Sequence, residues 1–411
     1  MRVNTVALFS FFKIIFLIIF LIFFILYLVL SPLSPLSSIS VHGAEPDVAA
    51  QAAILMDAKT GRILWEKNSE KPMAMASTTK IMTSVIALES DRLEEIVTVS
   101  AKAAGAPKVK MFLSKGEKIR LYDLLLALML ESSNDAAVAI AEHLGGSVEN
   151  FCAMMTEKAR TVGAKDTVFE TPNGLDGENH HSTAYDLAQI TRYALEVPGF
   201  VQLTNTPAAK FKSDKRNYNM VNKNRLLREF PGANGVKTGF TSKAGHCFVG
   251  AAKREEMQLI SVVLASGWGD GGRARKWVDT KTILNYGFNN FKYEIIMQEG
   301  AEAGKADVTR SRTLEMEYIY KTGLLAPLTE EEKGQIEVKV TVPPAILAPI
   351  SKGDTMGKAQ VYLKGELFSE VELTAARDAP RHDFKTSLEK VLNGWLGQII
   401  DVPVQVVLPE F

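Results

Sequence analysis

The chain has 411 residues, 46% of them hydrophobic, with Lys and Arg totalling 47 and Asp and Glu also totalling 47. Such a length exceeds one ordinary domain, and the apolar content is enough to bury substantial cores, so two domains are expected. A net charge of zero leaves no basic surplus to neutralise phosphates and no acidic tail, which excludes nucleic acid as an expected partner.

In chain order, Arg2 and Lys13 precede an uninterrupted apolar run over 14–30, followed by a Ser/Pro-rich stretch at 31–40 and the small residues Gly43 and Ala44. This pattern directs the chain to the membrane. Residues 1–44 read as a signal peptide cleaved near Gly43 or Ala44. An uncleaved signal-anchor is the alternative, because a run of about 20 apolar residues can span a bilayer. Both place the rest of the chain on the outer face of the cytoplasmic membrane. Cys152 and Cys247 are the only cysteines, far too few for a disulfide framework. Their apolar flanks suggest core thiols, and a single bridge between them stays open until geometry is known.

The folded region begins near Pro46. Ala52 to Met56, a polar turn from Asp57 to Gly61, and Ile63 to Trp65 predict a strand hairpin. Ser77 then opens a segment with Ile81, Met82, Val85, Ile86 and Leu88 at helical spacing, which puts Ser77 at a helix N-terminus. There the peptide dipoles favour developing negative charge. Residues 121–130 predict a buried helix that runs into Glu131-Ser132-Ser133-Asn134-Asp135, and 136–144 predict another. An amphipathic helix is expected at 184–195, and a second hairpin at 247–252 and 259–265 across the turn 253–256. A helix at 278–288 is expected to pack back on those strands. Strands at both ends with helices between them indicate an α/β (α+β) domain over 46–291, an antiparallel sheet covered by helices.

After about residue 292 the pattern changes to alternation, with Ile336, Val338, Val340 and Val342 on one face of a half-buried strand. Residues 292–381 are read as a small all-β domain of the sandwich type. The tail, 383–400, carries Leu388, Val391, Leu392, Trp395, Leu396, Ile399 and Ile400 in one apolar stripe of an amphipathic helix. A helix packed on its own domain fits that stripe. A membrane-surface anchor is preferred, because the segment is terminal and follows a compact β unit.

The chemistry is carried by Ser77-Thr78-Thr79-Lys80, Ser132-Ser133-Asn134 and Lys237-Thr238-Gly239. Each triplet alone is weak: Ser10 with Lys13 and Ser387 with Lys390 repeat the first spacing, and Lys59-Thr60-Gly61 and Lys321-Thr322-Gly323 repeat the last. Only Ser77, Ser132 and Lys237 fall in one domain, in order, on a helix start, an interhelical loop and a strand. Residues three apart on a helix share a face, so Lys80 can set its amine beside the Ser77 hydroxyl. A serine is a poor nucleophile without an adjacent base, and a lysine serves as one only if burial or a second cation such as Lys237 lowers its pKa. Ser132 is read as a proton relay, and Asn134 as holding Lys80 and a substrate amide. Lys237 and Thr238 are read as holding a carboxylate, and Gly239 as leaving room for a substrate backbone. The N–H groups of Ser77 and Phe240 are read as an oxyanion hole.

These elements resemble the low-molecular-weight penicillin-binding proteins, the serine-type D-alanyl-D-alanine carboxypeptidases of the peptidase S11 family. The resemblance extends over Ala76 to Lys80, Glu131 to Ala136, Thr171-Pro172-Asn173-Gly174-Leu175 with Ser182-Thr183-Ala184, and Gly235 to Gly239, together with the β domain and tail helix. It implies removal of the terminal D-alanine of peptidoglycan pentapeptides through an acyl-serine that β-lactams trap, with no metal or organic cofactor. Two departures stand out. Phe240 replaces a residue that is often His in relatives, and the arginine expected before the helix ending at Gly287 has several candidates, Arg273 and Arg275 among them.

A class A β-lactamase needs a glutamate to activate the deacylating water, but Glu170-Thr171-Pro172-Asn173 lacks the spacing and the Leu, and Glu170 reads as a solvated loop charge. His180 and His181 have no third-ligand pattern and read as a loop pair rather than a metal site. The Gly-rich run at 266–272 lacks a phosphate-loop Lys-Ser/Thr and reads as a flexible turn, with Trp268 near the cleft mouth. A tethered wall-binding protein that kept the fold and lost turnover is the rival of another class, and the presence of every required side chain argues against it.

Overall fold

The computed structural model describes residues 44–382 and 384–399. The expected N-terminal segment, apart from Ala44, and Ile400 of the tail stripe lie outside the described residues. Among the described residues no helix is long and apolar enough to cross a membrane.

The chain opens with strands β1 (Ala52–Asp57) and β2 (Ile63–Lys67), paired antiparallel as the hairpin pattern requires. A single 3-10 turn (Ala76–Thr79) leads into α1 (Lys80–Leu88), every residue of which is buried. Ser77 therefore sits one tight turn ahead of the α-helix rather than at its first residue. Helices α2 (Leu121–Leu130), α3 (Asn134–Gly145), α4 (Val148–Thr161) and α5 (Ala184–Glu196) follow. Ser147 and Thr183 cap α4 and α5 by accepting the N–H of Asn150 and Asp186, the capping that short hydroxylated side chains supply best.

Strands β3 (Ala233–Thr241), β4 (Gly245–Arg254) and β5 (Met257–Leu264) complete a five-stranded sheet in the order β2-β1-β5-β4-β3, with antiparallel neighbours throughout. Both faces are covered. Ile54, Val249, Ile260 and Val262 join the helices α1 to α5 in one core, while the alternate residues Leu55, Phe248, Leu259 and Val263 pack on Trp277, Ile283 and Leu284 of a later helix in another. Cover on both sides is why these strands read as nearly continuous apolar runs instead of alternating.

That helix, α6 (Gly269–Asn290), starts nine residues earlier than expected and takes in most of the Gly-rich run. Close packing explains the glycine: a Cβ on Gly272 would lie 2.3 Å from the Gly267 carbonyl carbon. Glycine here permits contact rather than a flexible turn.

After α6 come the strands β6 (Lys292–Met297), β7 (Glu302–Thr309), β8 (Glu315–Tyr320), β9 (Leu324–Leu328), β10 (Ile336–Thr341), β11 (Ala345–Leu347), β12 (Thr355–Leu363) and β13 (Glu366–Ala375). Six of them form a sheet in the order β10-β12-β13-β8-β7-β11, and β6 pairs with β9 in a ladder. Ile296, Met297 and Leu324 of the ladder pack on Ala359, Val361, Val371 and Leu373 of the sheet. Strand β10 forms, and the expected half-buried face holds at its ends, where Ile336 and the following Val342 pack on the core, but not in its middle, where Val338 and Val340 are each 40% exposed. It is the sheet's edge, with β12 as its one neighbour, and the layer that covers Ile336 and Val342 does not extend over Val338 and Val340. Helix α7 (Phe384–Ile399) ends the described chain. Its Leu388, Val391 and Trp395 are exposed.

Candidate active site

The 3-10 turn before α1 is pressed between a loop and the edge strand. A Cβ on Gly174 would meet the Ala76 carbonyl oxygen at 2.0 Å, and one on Gly239 would meet the Ser77 nitrogen at 3.0 Å. Both glycines are there for close backbone approach, which Lys237-Thr238-Gly239 on the edge strand β3 makes possible beside Ser77. Ala76 itself has a φ of +48°, a left-handed conformation that the neighbouring structure must hold for a residue with a Cβ.

Lys80 is a fully buried ionisable side chain. Its Nζ lies 2.9 Å from Ser77 Oγ, 2.8 Å from Asn134 Oδ1 and 2.5 Å from the Asn173 carbonyl oxygen. Burial, then the positive charge of Lys237, pushes its pKa well below the ordinary lysine value, with Asp135 opposing. Asn134 donates from Nδ2 to Pro107 O, and its N–H goes to Val109 O. Asp135 accepts the N–H groups of Met111 and Leu113 at 3.0 Å each. The two residues thus hold the segment that walls the cleft.

Lys237 is buried, donates to Thr238 O at 3.0 Å, and is pushed down to about 7 by burial, Lys276 and Lys223. Ser77, Ser132, Thr238, Gly239 and Phe240 line one cleft of about 480 Å³ with Lys223, Arg273 and Lys276. Ser132, at φ +69°, has no hydrogen-bond partner for its hydroxyl among the described residues. It lines the cleft and makes no hydrogen bond to Ser77 or Lys80. The rival motifs lie elsewhere: Lys59 is in the β1–β2 turn near the Tyr293 ring, and Lys321 pairs with Glu372. Among the described residues no cluster of His, Cys, Asp and Glu could hold a metal.

Sequence reasoning missed three features. The Asn173 carbonyl is a backbone acceptor, which no side-chain pattern advertises. Lys276, rather than an arginine, is the buried cation that α6 gives the cleft, pushed down to about 8 chiefly by burial. Arg275 turns to Asp279 at 3.1 Å, and Arg273 lies beside Asp270 at 3.6 Å. His180 is not a surface loop residue but is 3% exposed and reaches Thr79. Glu170 accepts the N–H of Asn179 and so fixes that same loop. Both cysteines are buried free thiols.

Fold and site together set a buried lysine amine against a serine hydroxyl at the edge of one cleft, an arrangement suited to acyl transfer on serine. Residues 39–267 match the D-alanyl-D-alanine carboxypeptidase family, and 291–381 match the penicillin-binding protein 5 C-terminal domain. The chain is 30% identical over 355 residues to the D-alanyl-D-alanine carboxypeptidase DacF of Bacillus subtilis, covering 84% of this chain and 90% of that one. It is 32% identical over 349 residues to DacA of Haemophilus influenzae, covering 81% and 86%. Penicillin binding protein 5 from Haemophilus influenzae superposes with a TM-score of 0.70 at 29% identity, covering 82% of this chain and 99% of that one. The chain belongs to the D-alanyl-D-alanine carboxypeptidase family.

Proposed function

We propose that this chain removes the terminal D-alanine from peptidoglycan stem peptides through an acyl-serine on Ser77, and that β-lactams acylate the same oxygen. The observation that carries the reading is the buried Lys80 amine with Ser77 Oγ, Asn134 Oδ1 and Asn173 O around it. A neutral amine has two N–H donors and one lone pair. With the donors on Asn134 Oδ1 and Asn173 O, the lone pair faces the Ser77 hydroxyl. As Oγ attacks the carbonyl of the D-Ala–D-Ala bond, its proton passes to Nζ, and the oxyanion is taken up by the Ser77 and Phe240 N–H groups. Lys80 then returns the proton to the leaving amine, the Ser132 hydroxyl serving as relay once bound substrate bridges the gap between it and Nζ, and water hydrolyses the acyl-serine.

The substrate's terminal carboxylate is assigned to Lys237, Thr238 and Lys276, two of them buried amines without a carboxylate partner among the described residues. Gly239 on the exposed edge of β3 lets the extended peptide backbone approach. The chain is divided in this reading into a catalytic domain at 46–291, a small β-sandwich domain at 292–381 and a tail helix at 383–400. Residues 1–44 act as the export signal, which puts the enzyme on the outer face of the cytoplasmic membrane. The exposed Leu388, Val391 and Trp395 support a tail that lies on that surface.

Labelling with a fluorescent penicillin tests the assignment. A covalent band lost in Ser77→Ala, with free D-alanine released from a pentapeptide by the wild type, is the expected result. An unlabelled wild-type chain overturns it, and a labelled chain that hydrolyses penicillin rapidly and releases no D-alanine makes it a β-lactamase.

A further inference from the structure

His180 and Thr79 belong to a hydrogen-bonded chain that ends on the nucleophile's own peptide group. The Glu170 N–H donates to His180 Nδ1 at 3.0 Å, so that nitrogen carries the lone pair and the neutral ring holds its proton on Nε2. Nε2 lies 2.9 Å from Thr79 Oγ1, and Thr79 Oγ1 donates to the Ala76 carbonyl oxygen at 2.9 Å. With its proton committed to Ala76 O, the threonine oxygen can only accept from Nε2–H. Thr79 is 0% exposed, Ala76 1% and His180 3%, so no water competes for these groups.

The Ala76 C=O and the Ser77 N–H are the two ends of one rigid peptide unit. A donor on that oxygen fixes the plane in which the N–H points and withdraws electron density from it, which strengthens the N–H as a donor. The left-handed φ of Ala76 gives the plane a reason to need holding. Edge-on packing against Phe169, with ring centroids 6.0 Å apart, fixes the imidazole. Burial, the dominant influence, pushes the ring's pKa down to about 4, against Glu170 and Asp176 and aided by His181 and Lys243. The ring is thereby kept in the neutral form that the chain of donors requires.

We infer that His180 is a positioning residue which, through Thr79 and the Ala76 carbonyl, aims and strengthens the Ser77 N–H that receives the oxyanion. This inference rests on the acyl-serine reading above and adds to it two side chains that touch no substrate.

The test uses Thr79→Val, which keeps the shape and removes the hydroxyl, Thr79→Ser, which restores it, His180→Leu, and the Thr79→Val/His180→Leu pair, each in the full chain. The measurements are kcat and KM on a D-Ala-D-Ala peptide, affinity for a boronic acid that forms a tetrahedral adduct on the serine, and the melting temperature. Thr79→Val is expected to lower kcat and boronate affinity by roughly 10- to 100-fold, less than outright removal of an oxyanion donor. KM should stay within about twofold, because ground-state binding does not use this plane. Thr79→Ser should recover most of the loss, and the paired variant should be no worse than the worse single variant, since both break one chain. A loss carried by KM, equal melting and kinetic defects in the Val and Ser variants, or additive losses in the pair would overturn the inference. An unlabelled wild type would instead remove the acyl-serine reading beneath it.

Discussion

In the five-stranded sheet and its helices, Lys80, Lys237 and Lys276 are buried amines whose pKa values are depressed, first of all by burial. In the six-stranded sheet the lysines stay at the surface in ion pairs, Lys358 with Glu370 at 2.9 Å and Lys321 with Glu372 at 2.5 Å. The same side chain is thus buried with a depressed pKa in one region and solvated opposite a carboxylate in the other. Desolvation makes an amine a base near neutral pH, whereas a solvated amine opposite a carboxylate stays charged and contributes little beyond solubility. The comparison teaches that chemistry is located by the burial of a polar group, not by its presence in a motif. Lys321, which also begins a Lys-Thr-Gly triplet, makes the point.

The largest effect is expected from Lys80→Met, a near-isosteric loss of the amine. Acylation by penicillin should fall by roughly 10²- to 10⁴-fold, the usual contribution of a general base. The melting temperature should hold or rise, because relief of a buried amine offsets the loss of its hydrogen bonds. A variant that lost activity and melted far below the wild type would show that Lys80 is chiefly a structural strut, and would erase the contrast between the two sheets.

A pH profile sharpens the contrast next. Amines are charged below their pKa, so with Lys237 at about 7 and Lys276 at about 8 the carboxylate anchor proposed above would be intact in mildly acidic solution and lost as pH rises through those values. The kcat/KM of a peptide with a free terminal carboxylate, which reports the free enzyme, should decline across that window. Lys276→Arg keeps its charge throughout and should leave only the lower step. An analogue amidated at its C-terminus should show neither step. An unchanged two-step decline in Lys276→Arg would take Lys276 out of the carboxylate site.

Much of this was legible beforehand, and the reasons are specific. The hairpins and helices around the first sheet were readable because Ile54 and Leu55 face different cores on one strand, giving a continuous apolar run bounded by turn residues. Ser77, Lys80, Asn134 and Lys237 could be singled out because their spacing, order and predicted elements agreed with one chemistry, and the structure brings the first three within hydrogen-bond distance. What escaped depends on packing rather than pattern. Gly272 looked like a flexible turn because its contact with Gly267 exists only in three dimensions. The alternation of β10 gave the strand correctly, yet no sequence period states whether a second layer will cover it. His180 resembled any loop histidine, since its partners, Thr79 and the Glu170 N–H, are brought to it by tertiary structure. Lys276 escaped because an arginine was expected from the resemblance and two arginines stood nearby.

The smallest effect is expected at Lys358 and Glu370, where the ion pair looks as short as many functional ones. Each side chain keeps almost half of its surface in solvent, 46% and 45%, so water already solvates both charges. Holding two long side chains together costs rotamer entropy that the screened attraction barely offsets. Lys358→Ala, Glu370→Ala and the double variant should therefore match the wild type in melting temperature, penicillin acylation and D-alanine release, with no coupling in the double-mutant cycle at physiological salt. A coupling that survives high salt would mean that this face of the second sheet is desolvated in the working enzyme. The division between an interior that makes lysine reactive and an exterior that leaves it inert would then fail at its plainest point.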